Sequence, residues 1–240
     1  MLNVSKKNLI VVAVVAVALL ASAASAVVEI RVSQESSAGA GDFSSHVLGT
    51  INAREYSTGT AADYYAYSAT DFSFHGPWPT PLVDDRTHVF FVNASDGLSL
   101  FVVHDDTVGS NGGSAAMKFV LSGDTGDPGW KVQDDHQGAD GIDDYDITGD
   151  VFTASLGWGS PRTDGFAIGS LDGDAWSMLS EFTAAPTGIT SLAAYSDGGS
   201  TVALNTTTGR RVKYEIVPEP ATMSLLGVGG LLALVRRRRK

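Results

Sequence analysis

The sequence predicts an all-β fold, an antiparallel β-sandwich of jelly-roll type, with an N-terminal signal helix and a short C-terminal hydrophobic helix outside it. Three observations predict it. Apolar residues recur with a period of two, as half-buried strands require. Turn-forming residues separate the β-rich runs at short intervals, and no long helical period interrupts them. No repeat of fixed length is present, which argues against solenoids and propellers.

The chain opens with Lys6 and Lys7, an uncharged run over 9–20 and a small-residue stretch containing Ala24, Ser25 and Ala26. Cations that stay inside, an apolar segment that enters the translocation machinery and small side chains that fit a peptidase pocket make residues 1–26 a signal peptide, cut by signal peptidase after Ala26. A run of about a dozen apolar residues is short of the roughly 20 that a spanning helix needs.

Residues 27–217 are then read as one extracytoplasmic β-sandwich domain. Val28, Ile30 and Val32 alternate with Glu29, Arg31 and Ser33, and the same period is read around 89–92 and 98–103. These last two runs are joined through Asn93-Ala94-Ser95-Asp96-Gly97, a hairpin signal because Asp-Gly supplies the positive φ of a tight connection. Further strands are expected over 116–121, 151–156, 166–171, 176–182, 189–195, 201–204 and 211–217. Segments 36–42, 57–63 and 109–114 are small and polar and read as loops.

Between residues 27 and 217 stand nine basic against 26 acidic side chains, a balance of −17 within a whole-chain charge of −11. Such a surface repels phosphates, so nucleic acid is not an expected partner. It attracts divalent cations instead. The chain has no cysteine, which removes disulfides, thiolate metal sites and cysteine nucleophiles from consideration.

Seven acidic residues fall within 134–150, beginning with Asp134-Asp135-His136. They are read either as a solvated acidic loop or as a calcium site, with Asp140, Asp143, Asp144 and Asp146 as the candidate ligands, because calcium takes six to eight oxygens. The spacing is not that of an EF-hand. His104-Asp105-Asp106, with His75, His88 and His136, offers metal or acid/base chemistry, or turn and strand-edge roles; the spacing specifies none. Trp78, Trp130, Trp158 and Trp176, with Tyr64, Tyr65 and Tyr67, suit a sugar-stacking surface or, better, core packing. The pairs Asp143/Asp144 and Asp172/Asp174 raise a glycosidase alternative, but no nucleophile elbow, phosphate loop or zinc motif occurs, and no enzymatic activity is expected.

At the other end come Pro218-Glu219-Pro220, an uncharged stretch over 221–235 and the cluster Arg236, Arg237, Arg238, Arg239 and Lys240. Cations beside an apolar segment hold that flank in the cytoplasm and place the preceding domain across the membrane. The stretch rises only about 22 Å as a helix, less than a hydrocarbon core of roughly 30 Å, so it is a poor permanent anchor. The order of these three parts in residues 218–240 resembles the PEP-CTERM sorting signal of bacterial envelope proteins. That resemblance implies recognition of Pro218, Glu219 and Pro220 by an exosortase during transient inner-membrane insertion, loss of the tail, and delivery to the cell surface or to an exopolysaccharide-rich extracellular matrix such as a biofilm. A plain tail anchor is the bland alternative.

The expected function is therefore that of an exported, non-catalytic surface or matrix protein with polysaccharide or calcium as candidate ligands. The rival is a secreted carbohydrate-active enzyme on the same scaffold.

Overall fold

A computed structural model describes residues 27–68, 70, 72–135, 143–173 and 175–218, so the signal helix and the C-terminal hydrophobic helix lie outside the described residues. Residues Val28–Val217 form one compact unit, a β-sandwich of two seven-stranded sheets. Among the described residues no helix is long and apolar enough to cross a membrane.

The strands in chain order are β1 (Glu29–Gln34), β2 (Val47–Asn52), β3 (Arg54–Tyr56), β4 (Arg86–Ala94), β5 (Gly97–His104), β6 (Gly113–Ser122), β7 (Gly129–Gln133), β8 (Asp144–Thr148), β9 (Val151–Trp158), β10 (Asp164–Leu171), β11 (Ser177–Phe182), β12 (Ser191–Tyr195), β13 (Thr201–Leu204) and β14 (Val212–Ile216). The first sheet runs β2-β1-β14-β11-β6-β9-β8; the second runs β13-β12-β4-β5-β10-β7, with β3 added beside β4. The first sheet is antiparallel throughout. In the second, β12 and β3 both pair with β4 in parallel, so the sheet is mixed.

The core between the sheets is built from alternate residues of both. From the first come Ile30, Val32, Met117, Phe119, Leu121, Phe152, Leu156 and Tyr214; from the second come Val89, Phe91, Leu100, Val102, Phe166 and Ile168. In β6 the alternation is visible in the sequence because its other face meets solvent. The runs 89–92 and 98–103 are instead apolar throughout except for the buried Ser99, and for a physical reason. Their outer face is covered by a second aromatic cluster of Tyr64, Tyr65, Phe74, Phe90 and Phe101, with Trp78 packed against it, so both faces of β4 and β5 are buried.

That cover includes a helix, α1 (Ala61–Tyr65), in a segment read from sequence as loop. Thr60 caps it: its hydroxyl accepts from the Asp63 N–H while the Asp63 carboxylate accepts from the Thr60 N–H, which satisfies orphan donors at both ends of a capping box. The expected hairpin is present, with Ala94 opposite Gly97 and Gly97 at φ +106°. Asp96 in its turn accepts from the Ala61 N–H at 2.8 Å, tying the hairpin to the helix.

Candidate functional site

The sheet ends where the tail begins. β14 lies between β1 and β11 with Ile216 opposite Ile30, and the Val217 N–H still donates to the Glu29 carbonyl at 2.8 Å. Proline has no N–H to continue such a ladder, so pairing stops as Pro218 enters. Pro218 is the last described residue of the C-terminal part; Glu219, Pro220, Arg236, Arg237, Arg238 and Arg239 lie outside the described residues.

Of the four acidic residues expected to bind calcium, Asp143, Asp144 and Asp146 are described, and they do not all face the same way. Asp140 lies outside the described residues, as does His136. Asp144 and Asp146 stand exposed on β8, while Asp143 and Tyr145 alternate with them and are buried. The period of two thus sends Asp143 inward and Asp144 and Asp146 outward. One Asp143 oxygen accepts from the Gly157 N–H at 3.0 Å.

His104 and Asp105 belong to packing. His104 stacks on Trp158 with centroids 5.2 Å apart and planes 5° from parallel, and its Nδ1 lies 2.8 Å from the Thr87 hydroxyl. Burial lowers its pKa to about 3, so the ring is neutral. His88 is likewise lowered by burial, to about 4: its Nε2 accepts from the Val83 N–H, which leaves Nδ1–H to donate to the Val103 carbonyl. Asp84, Asp85 and Asp105 offer oxygens mutually within 4.8 Å. Asp105 is nevertheless satisfied by protein donors: the Ser110 hydroxyl, the Trp158 indole N–H and the N–H groups of Asp85 and Asp106. Burial works to raise its pKa, but these hydrogen bonds outweigh it and hold the carboxyl below the usual range.

The aromatic side chains are mostly structural. Trp158 and Trp176 are buried, as are Tyr64 and Tyr65; Trp130 packs edge-on against Tyr145, Phe152 and Phe166, and Trp78 against Phe90 and Tyr195.

A different acidic group emerges at the end of the sandwich where β7, β8 and β10 meet. Asp134 follows β7, Asp143 precedes β8, and Asp164 opens β10; all three are buried. The Asp134 N–H donates to the Gly165 carbonyl, and the Tyr145 hydroxyl lies 2.9 Å from the Asp134 carbonyl and 3.0 Å from that of Gly165. The Tyr65 hydroxyl donates to Asp134 Oδ2 at 2.6 Å, and the Gly165 N–H to Asp164 Oδ1 at 2.6 Å. Asp134 Oδ1 and Asp164 Oδ2 are buried with no hydrogen-bond partner. Burial pushes Asp134 up to about 8 despite the Tyr65 donor, with the charges of Asp135 and Asp143 adding to it. Burial, then Asp143 and Asp134, drive Asp164 well above the usual carboxyl range. Sequence reading noted Asp134 and Asp143 within the acidic run but passed over Asp164, 21 positions beyond Asp143. Only the pairing of β10 with β7 brings it in.

Neither the curated proteins nor the solved structures contain a match to the chain. Residues 217–240 do match a family model, that of the PEP-CTERM protein-sorting motif, and its first residue is the Val217 that still bonds to β1. The chain thus carries a PEP-CTERM protein-sorting motif over residues 217–240, which marks it for export to the cell envelope or beyond and for processing by exosortase.

Proposed function

We propose that this is a non-catalytic protein of the cell surface or extracellular matrix, whose β-sandwich acts outside the cell once exosortase has cut near Pro218, Glu219 and Pro220. The observation that carries the reading is the sorting motif directly behind a complete sandwich: the last strand closes at Ile216, and the tail can be lost without removing a ladder residue. The ligands that suit the domain are divalent cations and polysaccharide, since a strongly anionic surface concentrates cations and cations in turn bridge anionic polymers. The positions of the acids support a non-catalytic role. Asp143 and Asp144 point to opposite faces of β8, and His104 and Asp105 are committed to Thr87, Trp158 and Ser110.

The intact mass of the mature protein from its host tests this reading. A chain that starts at Val27 and ends near Pro218 to Pro220 is expected, and a host without exosortase should retain Lys240 and hold the protein in the membrane. A wild-type chain ending at Lys240 in the presence of the enzyme overturns the sorting step. Turnover of a polysaccharide that disappears on changing one carboxylate overturns the non-catalytic assignment.

A further inference from the structure

We propose that the closure of β14 positions the sorting cut: in the folded protein Ile216 and Val217 belong to the first sheet, so exosortase engages the chain only from Pro218 onward. The inference rests on the reading of residues 217–240 as an exosortase signal, and adds to it the element of the fold that limits the enzyme.

Three observations carry it. β14 is an interior strand, paired with β1 on one side and β11 on the other, so its end does not peel away as that of an edge strand can. Its last residues are held from both sides. The Val217 N–H donates to the Glu29 carbonyl at 2.8 Å and the Ile216 N–H to the Trp176 carbonyl at 3.4 Å, while the Ile216 side chain packs against the core. Finally, the sorting motif begins at residue 217, inside this ladder, and no spacer separates the sheet from Pro218-Glu219-Pro220. The exposed Pro218 brings no N–H of its own, so the ladder hands over to the motif at the Val217–Pro218 bond.

Proteins that grip an extended peptide do so largely through its backbone N–H and C=O groups. Cutting passes the acyl carbon on the N-terminal side of the bond to a nucleophile, water at its simplest, and releases the amine of the tail with the proton that the nucleophile gives up. The enzyme must therefore close around that carbon. Three extended residues span about 10 Å at most, so any cut within 218–220 falls that close to the end of the sheet. Residues on its N-terminal side become available only when the ladder frays, which opens the Ile216 and Val217 hydrogen bonds. Two such bonds keep the frayed form at on the order of a tenth of the population or less. Ile216 and Val217 are thus positioning residues for the cut.

The test is the rate of tail removal from the full chain in a host that has exosortase, followed by pulse-chase, with the intact mass of each product. A Gly-Ser-Gly-Ser insert between Val217 and Pro218 changes no ladder residue. It is expected to speed removal by about 5- to 10-fold, with the cut still among Pro218, Glu219 and Pro220. Ile216→Ala, which loosens the end of the ladder, should speed removal about 3-fold, while Gly97→Ala, which destabilises the domain elsewhere, should leave the rate unchanged. Should Ile216→Ala not fold, the insert decides by itself. Equal rates for the insert and the wild type overturn the positioning role and leave sorting intact, as does a wild-type product that ends at or before Val217. Equal acceleration by Gly97→Ala overturns it too, since general instability would then govern access. A wild-type chain that keeps Lys240 overturns the sorting reading, and the positioning role with it.

Discussion

At the scale of single residues, the strongest local anchor is Glu35. It is fully buried, and its carboxylate accepts from the N–H groups of Gly39, Gly41 and Arg211 and from the Arg211 guanidinium, so it clasps a polar loop to the start of β14. Burial works against its charge, but the Arg211 and Gly41 donors prevail and lower its pKa from 4.5 to about 2. Above about pH 4.5 it is ionised in both folded and unfolded chains and its stabilisation is complete. Between pH 4.5 and 2 the unfolded chain takes up a proton that the native one refuses, so stability falls as pH falls. Glu35→Gln is expected to cost about 2 kcal/mol at pH 7 and to flatten that acid loss, as urea midpoints at pH 6 and pH 3 will show. His104 acts in a higher window. With a folded pKa near 3 against 6.5, it favours the unfolded state increasingly as pH drops below 6.5. His104→Phe keeps the stack on Trp158 but leaves the Thr87 hydroxyl without its ring partner. It should cost about 1 kcal/mol at pH 7, and the penalty should shrink by pH 5. The roles of Glu35 and His104 were not legible in the sequence, because a side chain's partners 17 or 176 positions away leave no local trace.

At the scale of elements, legibility followed the simplicity of the environment. β13 was expected at 201–204 and lies there; β6, β9, β10, β11, β12 and β14 each cover most of the run predicted for them. Missing from that reading were β2, β3, β7, β8 and α1. β8 alternates Asp144, Tyr145, Asp146, Ile147, yet its acids made it look like loop. At the edge of the first sheet, a strand needs only one buried residue, here Tyr145, and its outward charges discourage edge pairing. The hairpin was legible because Asp-Gly encodes its own backbone. Gly97→Ala, at φ +106°, is therefore expected to destabilise by about 1 kcal/mol or more, measurable by denaturant unfolding. Thr60→Ala should cost about 1 kcal/mol through loss of the α1 cap and should show first as faster amide exchange around Tyr64 and Tyr65.

At the scale of the whole molecule, the first and last strands are neighbours: β1 and β14 pair over five residues, and β14 joins β1 to β11. A chain ending at Val217 keeps this closure, whereas one ending at Arg211 splits the first sheet between β1 and β11. The first should unfold cooperatively and the second should fail to fold, as near-ultraviolet circular dichroism of the two will report; cleavage upstream of β14 is thus incompatible with a stable product. By itself the sequence determined the sorting motif and its order, the β class and most strand positions, because a motif is read as linear chemistry and a strand's alternation is local. Tertiary structure alone decided which acids are buried. Asp143 and Asp144 are adjacent in the chain and face opposite ways, and Asp164 joins Asp134 only because β10 pairs with β7. Burial depends on what a distant segment places overhead, and that is a property of the packed sheets rather than of the neighbouring residues.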